Sequence, residues 1–169
     1  MKLLFIGCVL LITISANCQT RPDNWGKLNF LIGNWIGEGN GNPGQGKGYF
    51  SFTLDLDNKI LVRKSHSEYP PDKEKPGIVH DDILIIYHEY NGDPDKAIYF
   101  DNEGHVINYS ITYADSVNII FTSKKIPNVP VFRLTYSKLE NNAMNVIFAI
   151  SQDGEKFTEY LKGTSKKIQ

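Results

Sequence analysis

Cysteine is almost missing from this chain. Its 169 residues include two, Cys8 and Cys18, both within the first eighteen positions. If that segment is removed, disulfides, thiolate metal sites and cysteine nucleophiles are excluded from the remainder. An excess of one charge is missing too: 18 Lys and Arg oppose 19 Asp and Glu, a formal net charge of −1. Nucleic-acid binders carry a basic patch or stripe. Here Lys124-Lys125 and Lys166-Lys167 are isolated pairs that read as solvated strand ends. The sequence has no internal repeat, no low-complexity tract and no apolar run long enough to span a bilayer as a helix.

Catalytic signatures are equally sparse. No Gly-x-Ser-x-Gly elbow occurs, and every acidic run coincides with a turn. The glycine-rich residues 37–48 lack the Lys-Ser/Thr of a phosphate loop and open no helix, so they read as devices for barrel curvature. The four histidines are His66, His80, His88 and His105, and no pair has the spacing of a helical metal motif. His80 and His88 share a strand face but lie about 26 Å apart when extended, too far to share a metal. Asp101-x-Glu103-x-His105 comes nearest to a ligand set, yet it surrounds a hairpin where Asp and Glu serve turn chemistry. The expectation is no metal, and binding rather than catalysis, with an isomerase-type enzyme or an interaction module as the alternative readings.

The N-terminus has the three-part layout of a secretory signal. Met1-Lys2 is a short basic start, Leu3 to Ile14 is apolar, and small residues follow at Ser15-Ala16-Asn17-Cys18. Residues 1–18 are therefore predicted to be a signal peptide, residues 19–24 a polar leader, and residues 25–166 the folded domain. Export to a periplasmic or extracellular space follows, with Gln19 as the first mature residue. A lipid anchor on Cys18 is the alternative, although Asn17 and Ser15 fit a lipobox poorly.

Within the domain, Asn24 is placed to cap a helical turn over Trp25 to Ile32, with Leu28, Leu31 and Ile32 at helical spacing. From Gly33 onward the period becomes two. Phe50, Phe52, Leu54 and Leu56 share one face of a strand from Gly46 to Leu56. Ile60 to Tyr69 follows the turn at Asp57-Asn58. Asp82 to Tyr90 is so continuously apolar that it reads as a strand covered on both faces. Strands over 96–101, 105–113, 117–123, 131–137, 144–151 and 156–164 are separated by turn clusters such as Asp101-Asn102-Glu103-Gly104 and Glu140-Asn141-Asn142. Ten short strands at regular spacing predict an all-β fold, an antiparallel up-and-down barrel whose closure removes exposed edges.

Certain stretches resemble a known group of barrels. Gly33-x-Trp35-x-Gly37-x-Gly39 is similar to the opening of nitrobindin-type haem-binding β-barrels. The Gly-x-Trp element is also similar to the start of lipocalins and fatty-acid-binding proteins, the wider calycin group. Phe30-Leu31-Ile32-Gly33-x-Trp35, Tyr99-Phe100-Asp101-x-Glu103-Gly104-His105-Val106-Ile107-x-Tyr109 and Phe132-Arg133-Leu134-Thr135-Tyr136 together resemble a bacterial family of unknown function within it. The resemblance covers most of residues 24–165 and implies a ten-stranded barrel enclosing a pocket. Nitrobindins hold haem iron through a histidine near the C-terminus. No histidine follows His105 here, so neither haem nor its chemistry is carried over and no cofactor is expected.

Polar residues on otherwise apolar faces mark the candidate site. His105 and Tyr109 flank Ile107, Tyr136 follows Phe132 and Leu134, Glu159 lies between Phe157 and Leu161, and His66 continues the face of Ile60 and Val62. With Trp35 as the core and closure residue, these six are the predicted ligand-binding set. If they point inward they form polar tips among aromatics, suited to a small apolar or amphipathic molecule. A filled core whose polar tips bond one another has the same pattern. Arg133 falls on the opposite, outer phase.

Overall fold

The computed structural model describes residues 25–37, 47–71, 76–89 and 92–168. Ten antiparallel strands close into one barrel, each hydrogen-bonded to its sequence neighbours, with β1 sealing against β10. They are β1 Gly33–Gly37, β2 Lys47–Asp55, β3 Ile60–Tyr69, β4 Ile78–Tyr87, β5 Lys96–Asp101, β6 Val106–Tyr113, β7 Asn118–Ser123, β8 Val131–Lys138, β9 Ala143–Ser151 and β10 Thr158–Ile168. This is the predicted up-and-down topology. A single 3-10 turn, Gly26–Leu31, precedes it; the proposed cap, Asn24, lies outside the described residues, as does the signal segment.

That turn plugs one end of the barrel. Leu28 and Leu31 are completely buried, each removing enough apolar surface to contribute about 1.5–3 kcal/mol. Three contacts fasten the plug to its surroundings. Lys27 Nζ donates to the Asp115 carbonyl at 3.0 Å, Lys167 Nζ to the Phe30 carbonyl at 3.1 Å, and the Trp25 ring lies 5.4 Å from that of His88. Gly33 then turns the chain into β1 with φ of 128°, a value side chains rarely adopt. Its position is tight as well: a Cβ there would sit 2.8 Å from Lys167 Cε. Two residues later Trp35 points inward, and its indole N–H donates to the Leu31 carbonyl at 2.7 Å. The buried indole thereby satisfies its polar atom while joining plug to wall.

Directly paired residues share a face, so the register defines the lumen. One row runs Leu54, Leu61, Ile86, Ala97, Tyr109. The next runs Phe52, Arg63, Leu84, Tyr99, Ile107, and the third Trp35, Phe50, Ser65, Asp82, Asp101. On the opposite wall Phe121, Leu134, Phe148 and Leu161 form one row and Ile119, Tyr136 and Val146 another.

Three strand readings need correction. β4 starts at Ile78, four residues before the expected Asp82, because Ile78–Asp81 pair with Tyr69–His66. It is not covered on both faces: Ile83 is exposed while Leu84 and Ile86 are buried. Leu56 leaves the strand face for a turn in which Leu56, Asp57 and Asn58 all have positive φ. β10 extends to Ile168, since Ser165 to Ile168 must pair with Gly37 to Asn34 for the barrel to close.

Candidate functional site

The fully buried inward side chains collect at the plugged end of the barrel. Leu61, Ile86, Ile119, Phe121, Tyr136 and Met144 are all fully buried at or near the plug. Further up, Phe50, Tyr99, Ile107, Phe132 and Phe148 still face inward but are only partly buried. The inward side chains thus fall into two sets: a packed core below and partly buried rings above that pack against it.

Between them lies a polar crossbar. Arg63 on β3 reaches Tyr136 on β8, five strands away around the barrel in either direction, and its Nη1 donates to the Tyr136 hydroxyl. The Nη2 of Arg63 donates to Asp82 Oδ2 at 2.8 Å, with the two side chains only 11% and 4% exposed. Phe50 flanks the guanidinium, which lies 5.5 Å from its ring centroid. Phe52 and Phe121 meet the Tyr136 ring edge-on at 5.6 and 5.7 Å, holding the phenol that receives the arginine. Burial works against the Arg63 charge, but Asp82 and Tyr136 outweigh it and raise its pKa. The arginine stays a cation at every pH the fold survives. Within this pair two buried polar atoms, Arg63 Nε and Asp82 Oδ1, have no hydrogen-bond partner.

Three tyrosines share this region. Burial raises the pKa of Tyr99, Tyr109 and Tyr136 well above the ordinary value, so all three are neutral hydroxyls at neutral pH. Tyr99 bonds His80 Nε2 at 2.9 Å, and the other ring nitrogen of His80 meets Glu103 Oε1 at 3.0 Å. Nearer the rim, Asp101 accepts the backbone N–H groups of Glu103 at 3.0 Å and His105 at 2.9 Å, and the His105 ring at 2.8 Å. Burial alone would raise the Asp101 pKa; these bonds overturn it and hold the carboxyl below its usual range. Asp101-x-Glu103-x-His105 is thus built as a turn. Among the described residues no group of three or more His, Cys, Asp and Glu is arranged to hold a metal.

The structure divides the six sequence-predicted residues. Trp35, Tyr109 and Tyr136 are buried inside the barrel. His105 is of inward phase, but its exposed side chain stays at the rim on Asp101. His66 faces outward, contrary to expectation: it pairs with Tyr49 and Asp81 on the outer surface, bonding Asp81 at 2.6 Å and Glu68 at 3.1 Å. In β3 the inward set is Leu61, Arg63 and Ser65, one residue out of phase with Ile60, Val62 and His66. Glu159 is also outside. A bulge between Glu159 and Leu161 breaks the alternation, so that Leu161 pairs with inward Phe148 while Glu159 pairs with Ala149. Its carboxylate lies 3.7 Å from Lys162. The bulge also sets Tyr160 edge-on to Phe148 at 6.3 Å, beside an open groove of about 410 Å³ that Ile150, Thr158 and Glu159 help to line. Arg133 faces outward as expected, its guanidinium 3.5 Å above the Phe157 ring.

Arg63, Asp82, Tyr99 and His80 are the residues sequence reasoning missed. A signal existed. A turn centred on Asp57-Asn58 pairs Leu54 with Leu61 and Phe52 with Arg63, so inward Phe52 forces Arg63 inward as well.

The class these features define is a closed ten-stranded antiparallel barrel with a plugged base, a buried Arg63–Asp82 ion pair tied across the barrel to Tyr136, and partly buried aromatic rings above it. Comparison with known proteins takes the assignment no further: no family model matches the chain, and no curated protein is similar to it.

Proposed function

We propose that the protein is an exported, non-enzymatic binder that holds one small, largely apolar, amphipathic molecule in the upper half of its barrel. The observation that carries this reading is the set of inward rings left partly exposed above the crossbar: Phe50, Tyr99, Phe132 and Phe148, with Ile107. Apolar walls with a few polar groups at the base are what a small-molecule site requires. The ligand's apolar body lies against the rings, and its polar end meets the hydroxyls around Arg63 and Asp82. Export rests on the N-terminal pattern alone, with Gln19 or a lipidated Cys18 as the first residue. No haem enters the proposal. The inward histidine nearest the crossbar, His80, has both ring nitrogens engaged, by Tyr99 and Glu103, so it offers no free ligand to iron.

The test uses N-phenyl-1-naphthylamine, a neutral probe that brightens in apolar surroundings. One saturable site per chain is expected. Ser65→Phe, which adds a ring at the inward position between Phe50 and Asp82, should abolish that site while the circular dichroism spectrum stays that of the parent. Saturable binding that survives Ser65→Phe unchanged, or no binding by the parent, would overturn the reading.

A further inference from the structure

The β9–β10 hairpin turns at the end of the barrel away from the plug, since β10 meets the plug end where Ile168 pairs with Asn34. It carries the open groove of about 410 Å³, a volume within the range of about 300–1,000 Å³ typical of small-molecule sites. Ile150 in this groove is of inward phase, paired with Phe132 and Thr158. Gln152, Asp153, Lys156 and Glu159 line the rest with Tyr160. Tyr160 is 73% exposed, so a broad part of its ring is free, while its edge-on contact with Phe148 fixes the ring's attitude. The loop is pinned as well. Lys125 Nζ donates to the Asp153 carbonyl at 2.6 Å. Asp153 Oδ1 accepts the Ser151 hydroxyl and the backbone N–H groups of Glu155 and Lys156 at 2.8 to 2.9 Å. Those bonds hold the carboxylate still, and its Oδ2 takes no part in them.

The side chains rank what can lie there. In and around the groove Lys125, Lys156 and Lys162 oppose Asp153, Glu155 and Glu159. A charged ligand therefore meets its like as well as its opposite. An apolar ligand would strip water from two carboxylates, an ammonium and an amide without replacing the lost bonds. A polyhydroxylated ring matches. Each hydroxyl both donates and accepts, so it serves Asp153 Oδ2 and Glu159 as a donor, Lys156 as an acceptor, and Gln152 in either sense. The C–H face of such a ring is weakly positive and suits the negative face of an exposed tyrosine. We propose that this groove is a second binding site, one for a neutral sugar ring, with Tyr160 as its stacking platform. It is distinct from the interior site proposed above, and neither depends on the other.

The experiment titrates the purified, isotopically labelled full chain at pH 6 with maltotriose, cellotriose and triacetylchitotriose, and follows backbone amide shifts. At least one of the three should give saturable shifts confined to residues 150–161. Trigalacturonate and fully deacetylated chitotriose, one anionic and one cationic, should bind at least tenfold more weakly. Tyr160→Ala should weaken binding of the neutral trisaccharide at least tenfold, whereas Tyr160→Phe, which keeps the ring, should stay within about twofold of the parent. The side chain is exposed, so neither change disturbs the core. No groove shifts from any of the three neutral sugars, tighter binding of either charged one, or binding indifferent to Tyr160→Ala overturns the inference. N-phenyl-1-naphthylamine and Ser65→Phe read the interior site separately, so the two proposals fail independently.

Discussion

Removing the positive end of the crossbar tests whether it is the buried, closely matched element described here. Arg63→Met keeps most of the side-chain volume but strands Asp82, whose side chain is 4% exposed, as an uncompensated anion. Breaking a buried pair in this way costs about 3–5 kcal/mol. Against a typical total stability of about 5–15 kcal/mol, that is about a fifth of the fold or more, or a fall of about 6–20 °C in melting temperature. Asp82→Leu should cost a comparable amount by stranding Arg63. The double variant Arg63→Met/Asp82→Leu removes both charges and leaves only the Tyr136 hydroxyl without its donor, a loss of about 1–3 kcal/mol. The two single costs therefore do not add, and the coupling amounts to several kcal/mol. Urea denaturation of the four proteins, followed by circular dichroism, measures all the terms of the cycle. A cost below about 1 kcal/mol for Arg63→Met, or a double variant as unstable as the two singles summed, would refute the placement of the pair.

Trp35→Ala should cost about 3–5 kcal/mol, because the ring is buried, stacks on Phe50 at 6.2 Å and bonds the plug through its indole; an unchanged urea midpoint would contradict its closure role. His66 should titrate above its ordinary value because Asp81 and then Glu68 bond its ring. Its stabilisation is full below the unfolded pKa and fades as pH rises through the folded one; Asp81→Asn should move its ring-proton NMR titration back toward 6.5. Asp153 has the opposite sign. The backbone N–H groups of Lys156 and Glu155 and the Ser151 hydroxyl hold its pKa down to about 2, so its contribution is present above about pH 4. It is lost between there and pH 2, and Asp153→Asn should flatten the acid limb of the stability profile. Intact mass of the natively produced protein should show a chain starting at Gln19 or at a lipidated Cys18; retained Met1 would sink the export proposal.

The fold was legible because alternation and turn chemistry agree along the chain. Asp101-Asn102-Glu103-Gly104 and Glu140-Asn141-Asn142 fall where the backbone goes left-handed, with φ of 91° at Gly104, 57° at Asn141 and 56° at Asn142. The plug was legible from the spacing of Leu28 and Leu31. The site was only half legible, for a definite reason. Phase was judged from apolarity, and in β3 the outward Ile60 and Val62 outweigh inward Leu61, Arg63 and Ser65. A one-residue slip moves every side chain to the other face, so Arg63 was overlooked and His66 taken in its place. Asp82 followed it out of sight, since its inward phase depends on pairing with Ser65. Glu159 was misplaced by a bulge, which no alternating pattern announces.

The most direct test of the account is to ask where a bound molecule touches the barrel. Nuclear Overhauser contacts from decanol to isotopically labelled isoleucine methyls and aromatic rings would read this. The account predicts contacts to Ile107, Phe132 and Phe148 above the crossbar, and none to Ile119 or Phe121 below it. Contacts confined to Ile83 and Phe100, which are exposed on the outer surface, would contradict it.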